Sequence, residues 1–171
     1  MHLAETALIT FDQLLATLDH LLGKAASSEQ GESLLQARLA PDMLPLATQV
    51  RFTTQQVYNT LNRAYGAHHA GFDADHATIA EARAHLADVR ALIAAARATQ
   101  PLAEATMVEF DLPNGMAFAL TVADYVRDWT LPQFHFHLMT AYAILRHAGL
   151  PIGKADYMGY MMRHLKAAPG A

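Results

Sequence analysis

The sequence predicts an all-α domain, a four-helix bundle with a short β-hairpin between helices three and four. Four segments carry apolar residues at steps of three and four, the spacing of one stripe along an α-helix. A shorter segment alternates apolar with polar or small residues on both sides of a Pro-Asn-Gly turn, which is typical of a hairpin. The 171 residues contain no internal repeat or linker. We therefore expect a single domain, residues 1–171.

Helices one and two follow from their apolar stripes and from residues that start or stop helices. Helix one is predicted at about residues 3–22, with Gly23 as its C-terminal cap. Asp42 is expected to cap helix two, and Pro45 is tolerated in the first turn because its missing N–H would have no partner there. The apolar stripe of helix two continues to Tyr65.

Helix three and the hairpin come next. Apolar residues at helical spacing extend over 79–96, and Pro101 ends the helical pattern. Residues 107–122 then alternate around the turn at 113–115. This alternation predicts two short antiparallel strands.

Helix four is predicted to be kinked near Pro132. Two capping pairs support its start and its kink: Thr121 with Asp124, and Thr130 with Gln133. It is expected to end at Ala148 in a Schellman motif that uses Gly149. Residues 154–165 can form one further short helix.

Composition excludes several function classes. The net charge of −4 and the lack of a basic run argue against nucleic-acid and anionic membrane partners. No apolar run is long enough for a bilayer span, and the first residues are typical of an amphipathic helix rather than a signal peptide. Because the sequence contains no cysteine, thiolate nucleophiles and Cys-type metal sites are excluded. We expect a soluble, cytoplasmic protein.

Histidine is the residue type in which chemistry is most expected, since the chain has 10 of them. Most are predicted to be solvated at helix ends or in loops: His2, His20, His68, His69, His76 and His164. His85 is expected to be exposed and to pair with Glu81 four residues earlier.

Helix four carries the remaining three histidines. His135 and His137 are two residues apart, about 200° around a helix, so they cannot share one ligand. His137 is the one predicted to face the bundle interior. His147 is roughly 15 Å further along the helix axis, too far to share a metal with His137. It is expected to cap the C-terminus of its helix, where an imidazolium is favoured.

A polar cluster is predicted inside the bundle. Gln133 and His137 are four residues apart on helix four, and Gln49 and Thr53 lie near the apolar stripe of helix two. One interpretation is a small-molecule site, and the other is a core histidine satisfied by amide hydrogen bonds. As a metal site the cluster is weak, because neutral amides are poor replacements for imidazole.

Two segments, ARLAPDMLPLATQV at Ala37–Val50 and FHFHLMTAYAILRHAGLPIGKADYMG at Phe134–Gly159, resemble an uncharacterised bacterial family within the DinB/YfiT-like superfamily of metal-dependent four-helix bundles. The resemblance covers nearly the whole chain and implies a DinB-like bundle that forms homodimers. It also implies a divalent metal, Zn or Ni, held by a histidine of helix two and a His-x-x-x-His pair of helix four. Carried onto this chain, these positions are Gln49, Gln133 and His137, of which only His137 keeps a metal-binding side chain.

Three functions follow as expectations. The first is a DinB-like bundle of unknown activity with a degenerate metal site, which binds a small molecule at Gln49, Thr53, Gln133 and His137. The second is implied by the resemblance: a divalent-metal-dependent transferase or isomerase acting on low-molecular-weight thiol adducts, with His137 as a ligand. The third is a stress-linked interaction protein whose outward row is His135, Tyr142 and Arg146.

Overall fold

The computed structural model describes residues 1–166 and consists of four long helical segments with a hairpin before the fourth. The first three segments are regular α-helices: α1 (Leu3–Ala26), α2 (Leu46–Ala64) and α3 (Ile79–Ala96). A 3₁₀ helix, Gly31–Gln36, lies between α1 and α2. The observed order confirms the predicted all-α bundle.

The hairpin has the predicted position and turn. Strand β1 (Met107–Asp111) pairs antiparallel with β2 (Ala117–Thr121), and Phe110 lies opposite Phe118. The two rings are 5.3 Å apart and stacked. Gly115 in the turn has a φ of 86°, a left-handed conformation that costs free energy for any residue with a Cβ.

The fourth long helix consists of three consecutive parts: α4 (Val122–Asp124), a π-helical turn (Tyr125–Thr130) and α5 (Leu131–His147). It ends in the predicted Schellman motif, since Gly149 has a φ of 92° and the Leu150 N–H donates to the Leu145 carbonyl. Two short elements follow, α6 (Lys154–Tyr157) and a 3₁₀ helix (Gly159–His164).

The irregularity predicted at Pro132 begins one turn earlier. Pro132 is the second residue of α5, directly after the π turn. The preceding residue, Leu131, donates its N–H to the carbonyl of Val126, five residues back. The irregularity is thus a wider π turn just before the proline, and helical structure continues through Pro132.

The core lies between two pairs of helices. α2 packs mainly against α5, and α1 mainly against α3. The rings of Phe11 and Phe134, both fully buried, are 4.3 Å apart at the centre. Each such side chain contributes about 1.5–3 kcal/mol to folding through the hydrophobic effect.

Two predicted helix ends are wrong. α1 continues through Gly23 to Ala26, because alanine is a good helix former and Ala25 is fully buried in the core. Helix two does not start at Asp42, which is exposed. Pro45, in an extended conformation, is the residue that precedes α2.

Two further findings concern the chain as a whole. The last five residues of the predicted domain 1–171 lie outside the described residues. Within residues 1–166, no helix is both long enough and apolar enough to cross a bilayer.

Thr130 does not form the predicted cap with Gln133, because the helix continues through it. Its hydroxyl oxygen instead lies 2.7 Å from that of Thr60 on α2, and both side chains are fully buried. Thr60 also donates to the carbonyl of Gln56 at 2.7 Å. The two hydroxyls form a polar contact across the interface between α2 and the fourth helix.

We expect Thr60→Val and Thr130→Val each to lower the free energy of unfolding by about 1 kcal/mol, because each removes the contact between the two hydroxyls. The Gln56 carbonyl remains an acceptor for the hydroxyl that is left. The double variant should lose less than the sum of the two, since either single variant already removes this shared contact. Urea denaturation measures this coupling. Thr54→Val is the matched control, because Thr54 bonds only within α2 and should add independently to Thr60→Val.

Candidate functional site

The structure brings Gln49 of α2 and His137 of α5 together. Gln49 is buried, His137 is half-buried, and the Nδ1 atom of His137 lies 2.9 Å from the Oε1 atom of Gln49. The other amide atom of Gln49, Nε2, donates to the backbone carbonyl of Leu44 at 3.2 Å. Both polar atoms of the Gln49 amide are therefore used.

This arrangement fixes the tautomer of His137. A backbone carbonyl only accepts, so the amide nitrogen of Gln49 must face Leu44 and its carbonyl oxygen must face His137. The Nδ1 atom of His137 consequently carries the proton. Its Nε2 atom is left with a lone pair, and no described residue donates a hydrogen bond to it.

The surroundings of His137 keep the ring neutral. Burial lowers the pKa of His137 to about 4. The ring centroid of Phe52 is 5.1 Å from that of His137, and the centroid of Phe136 is 5.3 Å away. Two aromatic rings thus flank an imidazole whose Nε2 atom is a hydrogen-bond acceptor at neutral pH.

The other two residues of the predicted cluster are placed differently. Gln133 is half-buried, one turn before His137 on α5, and its amide bonds to no described residue. Thr53 is fully buried, and its hydroxyl donates to the backbone carbonyl of Gln49 at 2.8 Å. Gln133 is thus available to a ligand, whereas the single hydroxyl proton of Thr53 is already used within α2.

The divalent metal implied by the resemblance does not fit these residues. Gln49 cannot be a ligand in this arrangement, because its carbonyl oxygen orients His137 and its nitrogen is bonded to Leu44. Only His137 and the neutral amide of Gln133 remain, fewer donors than a catalytic zinc site uses. Among residues 1–166, no three histidine, aspartate or glutamate side chains lie close enough together to hold a metal ion.

The outward row predicted for an interaction surface is only partly exposed. Arg146 is exposed. Tyr142 is half-buried, with its ring edge-on to Tyr157 of α6 at 6.0 Å. The Nδ1 atom of His135 lies 2.8 Å from the backbone carbonyl of Leu131. Two of the three residues in this row therefore contact other parts of the same chain.

A second polar cluster, which the sequence did not predict, joins α2, α3 and the segment before α3. The Nε2 atom of His76 lies 2.8 Å from the Nδ1 atom of His85, and the Nε2 atom of His85 lies 2.9 Å from the hydroxyl of Tyr58. His76 is buried, so its predicted solvation is wrong. The predicted pair of His85 with Glu81 is also absent, because Glu81 accepts from the backbone at the start of α3.

Two other histidines predicted to be solvated have structural roles. His2 caps α1, where its Nδ1 atom accepts from the Ala4 N–H at 3.1 Å. His20 is exposed as predicted, and its Nε2 atom lies 3.0 Å from Asp156, which also accepts from Lys24. His68 and His164 are exposed as predicted, and His147 is exposed at the end of α5.

Comparisons with known proteins place these observations in context. A family model described as a domain of unknown function, DUF1993, matches residues 3–158. No curated protein matches the chain. The chain is similar to a DinB family member protein from Shewanella denitrificans, known from a crystal structure at 1.83 Å. The two are 28% identical with a TM-score of 0.75, and the match covers 95% of this chain and 93% of that chain.

The lowered pKa of His137 predicts a pH dependence of stability. The unfolded chain binds more protons than the folded protein between the usual pKa of 6.5 and about 4. The contribution of His137 is thus fully present above pH 6.5 and is lost as the pH falls toward 4. We expect the Cε1–H resonance of His137 to titrate with a midpoint near 4 in an NMR experiment.

Two variants test the same linkage. His137→Leu should lose less stability than the unmodified protein when the pH is lowered from about 7 to about 4.5. His147→Gln, at an exposed position, should keep the unmodified slope. A midpoint for His137 near that of a free imidazole would contradict the buried, neutral state.

Proposed function

The chain belongs to the DUF1993 family and has a DinB-like fold, and from that premise we propose that it binds a small molecule beside His137. The observation that carries the proposal is the oriented Nε2 atom of His137. Gln49 holds the ring in one tautomer and presents this lone pair with no partner among the described residues. A preorganised acceptor of this kind favours a ligand that donates a hydrogen bond.

The neighbouring side chains indicate the rest of the ligand. The rings of Phe52 and Phe136 offer apolar contact on α2 and α5. The unbonded amide of Gln133, one turn from His137, can both donate and accept. These groups support an apolar or aromatic molecule with one hydroxyl or N–H group, held by one oriented hydrogen bond. Apolar contacts combined with few polar groups are usual in small-molecule sites.

The proposal is for binding rather than for a reaction. His137 supplies one neutral acceptor, and the sequence contains no cysteine to serve as a nucleophile. The metal-dependent thiol chemistry implied by the superfamily needs donors that Gln49 and Gln133 do not supply. A cytoplasmic location, also proposed, is supported by the absence of cysteine.

We propose in addition that the chain forms a homodimer through the outer face of α5. Phe136 is 59% exposed and Met139 is 44% exposed, one turn apart on this face. Exposed apolar neighbours on a helix favour association. In analytical ultracentrifugation we expect a mass of two chains, and Met139→Ser, which leaves the Phe136 ring beside His137 in place, should lower the fraction of dimer. A monomer before substitution would contradict the proposal.

Phenol and anisole test the hydrogen bond to His137, because they share an aromatic ring and differ in the donated proton. We expect phenol to shift the ¹⁵N resonance of the His137 Nε2 atom and to raise the melting temperature by mass action. Anisole should bind about tenfold more weakly, the usual effect of one lost hydrogen bond.

Two variants distinguish the hydrogen bond to His137 from nonspecific binding of aromatic compounds. His137→Phe should remove the preference for phenol, whereas His135→Gln should keep it. Equal binding of the two compounds, or no response to either at millimolar concentration, would contradict the proposed site.

Elemental analysis tests the alternative of a working metal site. Protein purified without a metal-affinity tag should contain far less than one zinc or nickel per chain, because the donors are too few. His137→Ala should leave that amount unchanged. About one equivalent of metal, lost in the variant, would replace the binding proposal with metal-dependent chemistry.

A further inference from the structure

Residues 65–78, which join α2 to α3, form no helix or strand, and side chains anchor this segment at two points. The amide of Asn62 bonds to both the N–H and the carbonyl of His69, at 2.8 and 2.9 Å. The carboxylate of Asp75 accepts from Arg51 of α2 at 2.7 Å. Burial raises the pKa of Asp75, but its hydrogen bonds and the charge of Arg51 outweigh this and lower it below its usual value. Since an amide does not titrate, both anchors persist in mildly acidic solution.

Between these anchors, the ring of Phe72 lies on two imidazoles. It is stacked on His76, with centroids 4.8 Å apart, and its centroid is 4.6 Å from that of His85. The Nε2 atom of His76 lies 2.8 Å from the Nδ1 atom of His85. The Nε2 atom of His85 in turn lies 2.9 Å from the hydroxyl of Tyr58 on α2. The position of Phe72 therefore depends on the contact between the two imidazoles.

The contact between the imidazoles needs one proton, and only one, between the two facing nitrogens. Either ring can supply it, because an imidazole nitrogen donates when it carries a proton and accepts when it does not. When both histidines are cations, all four ring nitrogens carry protons, and two N–H groups face each other across 2.8 Å. The hydrogen bond is then lost, whichever ring donated before. The closed segment thus excludes the doubly protonated pair, and this follows from geometry alone.

The surroundings of the two rings also disfavour a second positive charge. Burial lowers the pKa of His76, and the nearest carboxylates oppose this only in part. Burial lowers the pKa of His85 as well, and the charge of His76 lowers it further. The charged and titratable groups around the pair lie on α2, on the segment itself and on α3: Arg51, Tyr58, Asp75, Glu81 and Asp88. Because His76 is only 5% exposed, leaving the closed arrangement is its route to water.

We infer that the contact between His76 and His85 is a pH-sensitive latch on the segment before α3. In mildly acidic solution both histidines take up a proton, His76 leaves His85, and Phe72 loses the ring on which it is stacked. The two anchors stay in place, so the segment opens without the rest of the fold. Opening uncovers Tyr58, which is only 9% exposed in the closed form. These residues differ from those proposed to bind a ligand at His137, so the two inferences can fail separately.

The direction of the pH dependence follows from proton binding. The open segment binds more protons than the closed one, because its two histidines regain the usual pKa of 6.5. The closed form is thus favoured above pH 6.5 and loses stability as the pH falls below that value. Each excluded proton raises the ratio of open to closed molecules about tenfold for each further pH unit. Since at least one proton is excluded, we expect this ratio to rise at least about 20-fold from about pH 7 to about pH 5.

The test follows the full, ¹⁵N-labelled chain by NMR over the same range of pH. The ¹⁵N resonances of His76 and His85 report whether each ring is neutral or a cation. The nuclear Overhauser effect between the rings of Phe72 and His76 reports whether the segment is closed. We expect this effect to disappear as both imidazoles become cations, whereas the effect between Phe11 and Phe134 in the core persists. Relaxation dispersion of the Phe72 ring signals measures the ratio of open to closed molecules.

Two variants complete the design. His85→Gln removes one titrating ring and should stay closed at about pH 5, because a cationic His76 can donate to the glutamine carbonyl oxygen. His68→Gln, the matched control at an exposed position of the same segment, should keep the pH dependence of the unmodified chain. Circular dichroism verifies that both variants are folded.

Three results would overturn the inference. The first is a pair of cationic imidazoles with Phe72 still stacked on His76. The second is contact between Phe72 and His76 that persists down to the pH at which the core unfolds. The third is opening of the His85→Gln variant at the same pH as the unmodified chain.

Discussion

The fold depends on the burial of α2, a helix whose inward residues include many polar ones. This burial is possible because three of the four threonine hydroxyls of α2 donate to carbonyls of the helix itself. Thr53 and Thr60 each donate to the carbonyl four residues earlier, so neither leaves an unpaired proton in the core. Other polar side chains of α2 bond outside the helix, and two of them face histidines. Gln49 faces α5 and Tyr58 faces α3, about half a turn apart around the helix axis, and each organises one histidine cluster.

Much of the fold is predictable because it depends on local spacing. The apolar stripes give the long helices, and the Pro-Asn-Gly turn gives the hairpin. The helix ends are less predictable where a distant residue decides them. Gly23 is a residue typical of a helix end, but α1 continues past it to Ala26, and Ala25 is buried against residues that are distant in sequence. Thr130 is likewise a residue typical of a helix cap, but its hydroxyl contacts Thr60 of α2 instead.

The two clusters differ in how much of them a sequence can reveal. Gln133 and His137 are four residues apart on a helix, so their shared face follows from periodicity alone. The role of Gln49 does not, because it depends on the Leu44 carbonyl, which lies in a loop with no periodic pattern. The burial of His76 cannot be predicted from the sequence for the same reason. The loop before α3 has no repeat that would indicate burial, and only its density of histidine and aromatic residues hints at the contact with His85.

The π-helical turn determines which side chains of α5 face the core. A π turn contains about one residue more than an α turn, which corresponds to roughly 100° of rotation. Without it, the residues after Pro132 would be rotated by that angle relative to Val122. Phe134 would then leave the core, and His137 would no longer meet Gln49. The insertion or deletion of a single residue in Tyr125–Thr130 thus changes which side of the helix faces the core. It does so without altering any residue of α5.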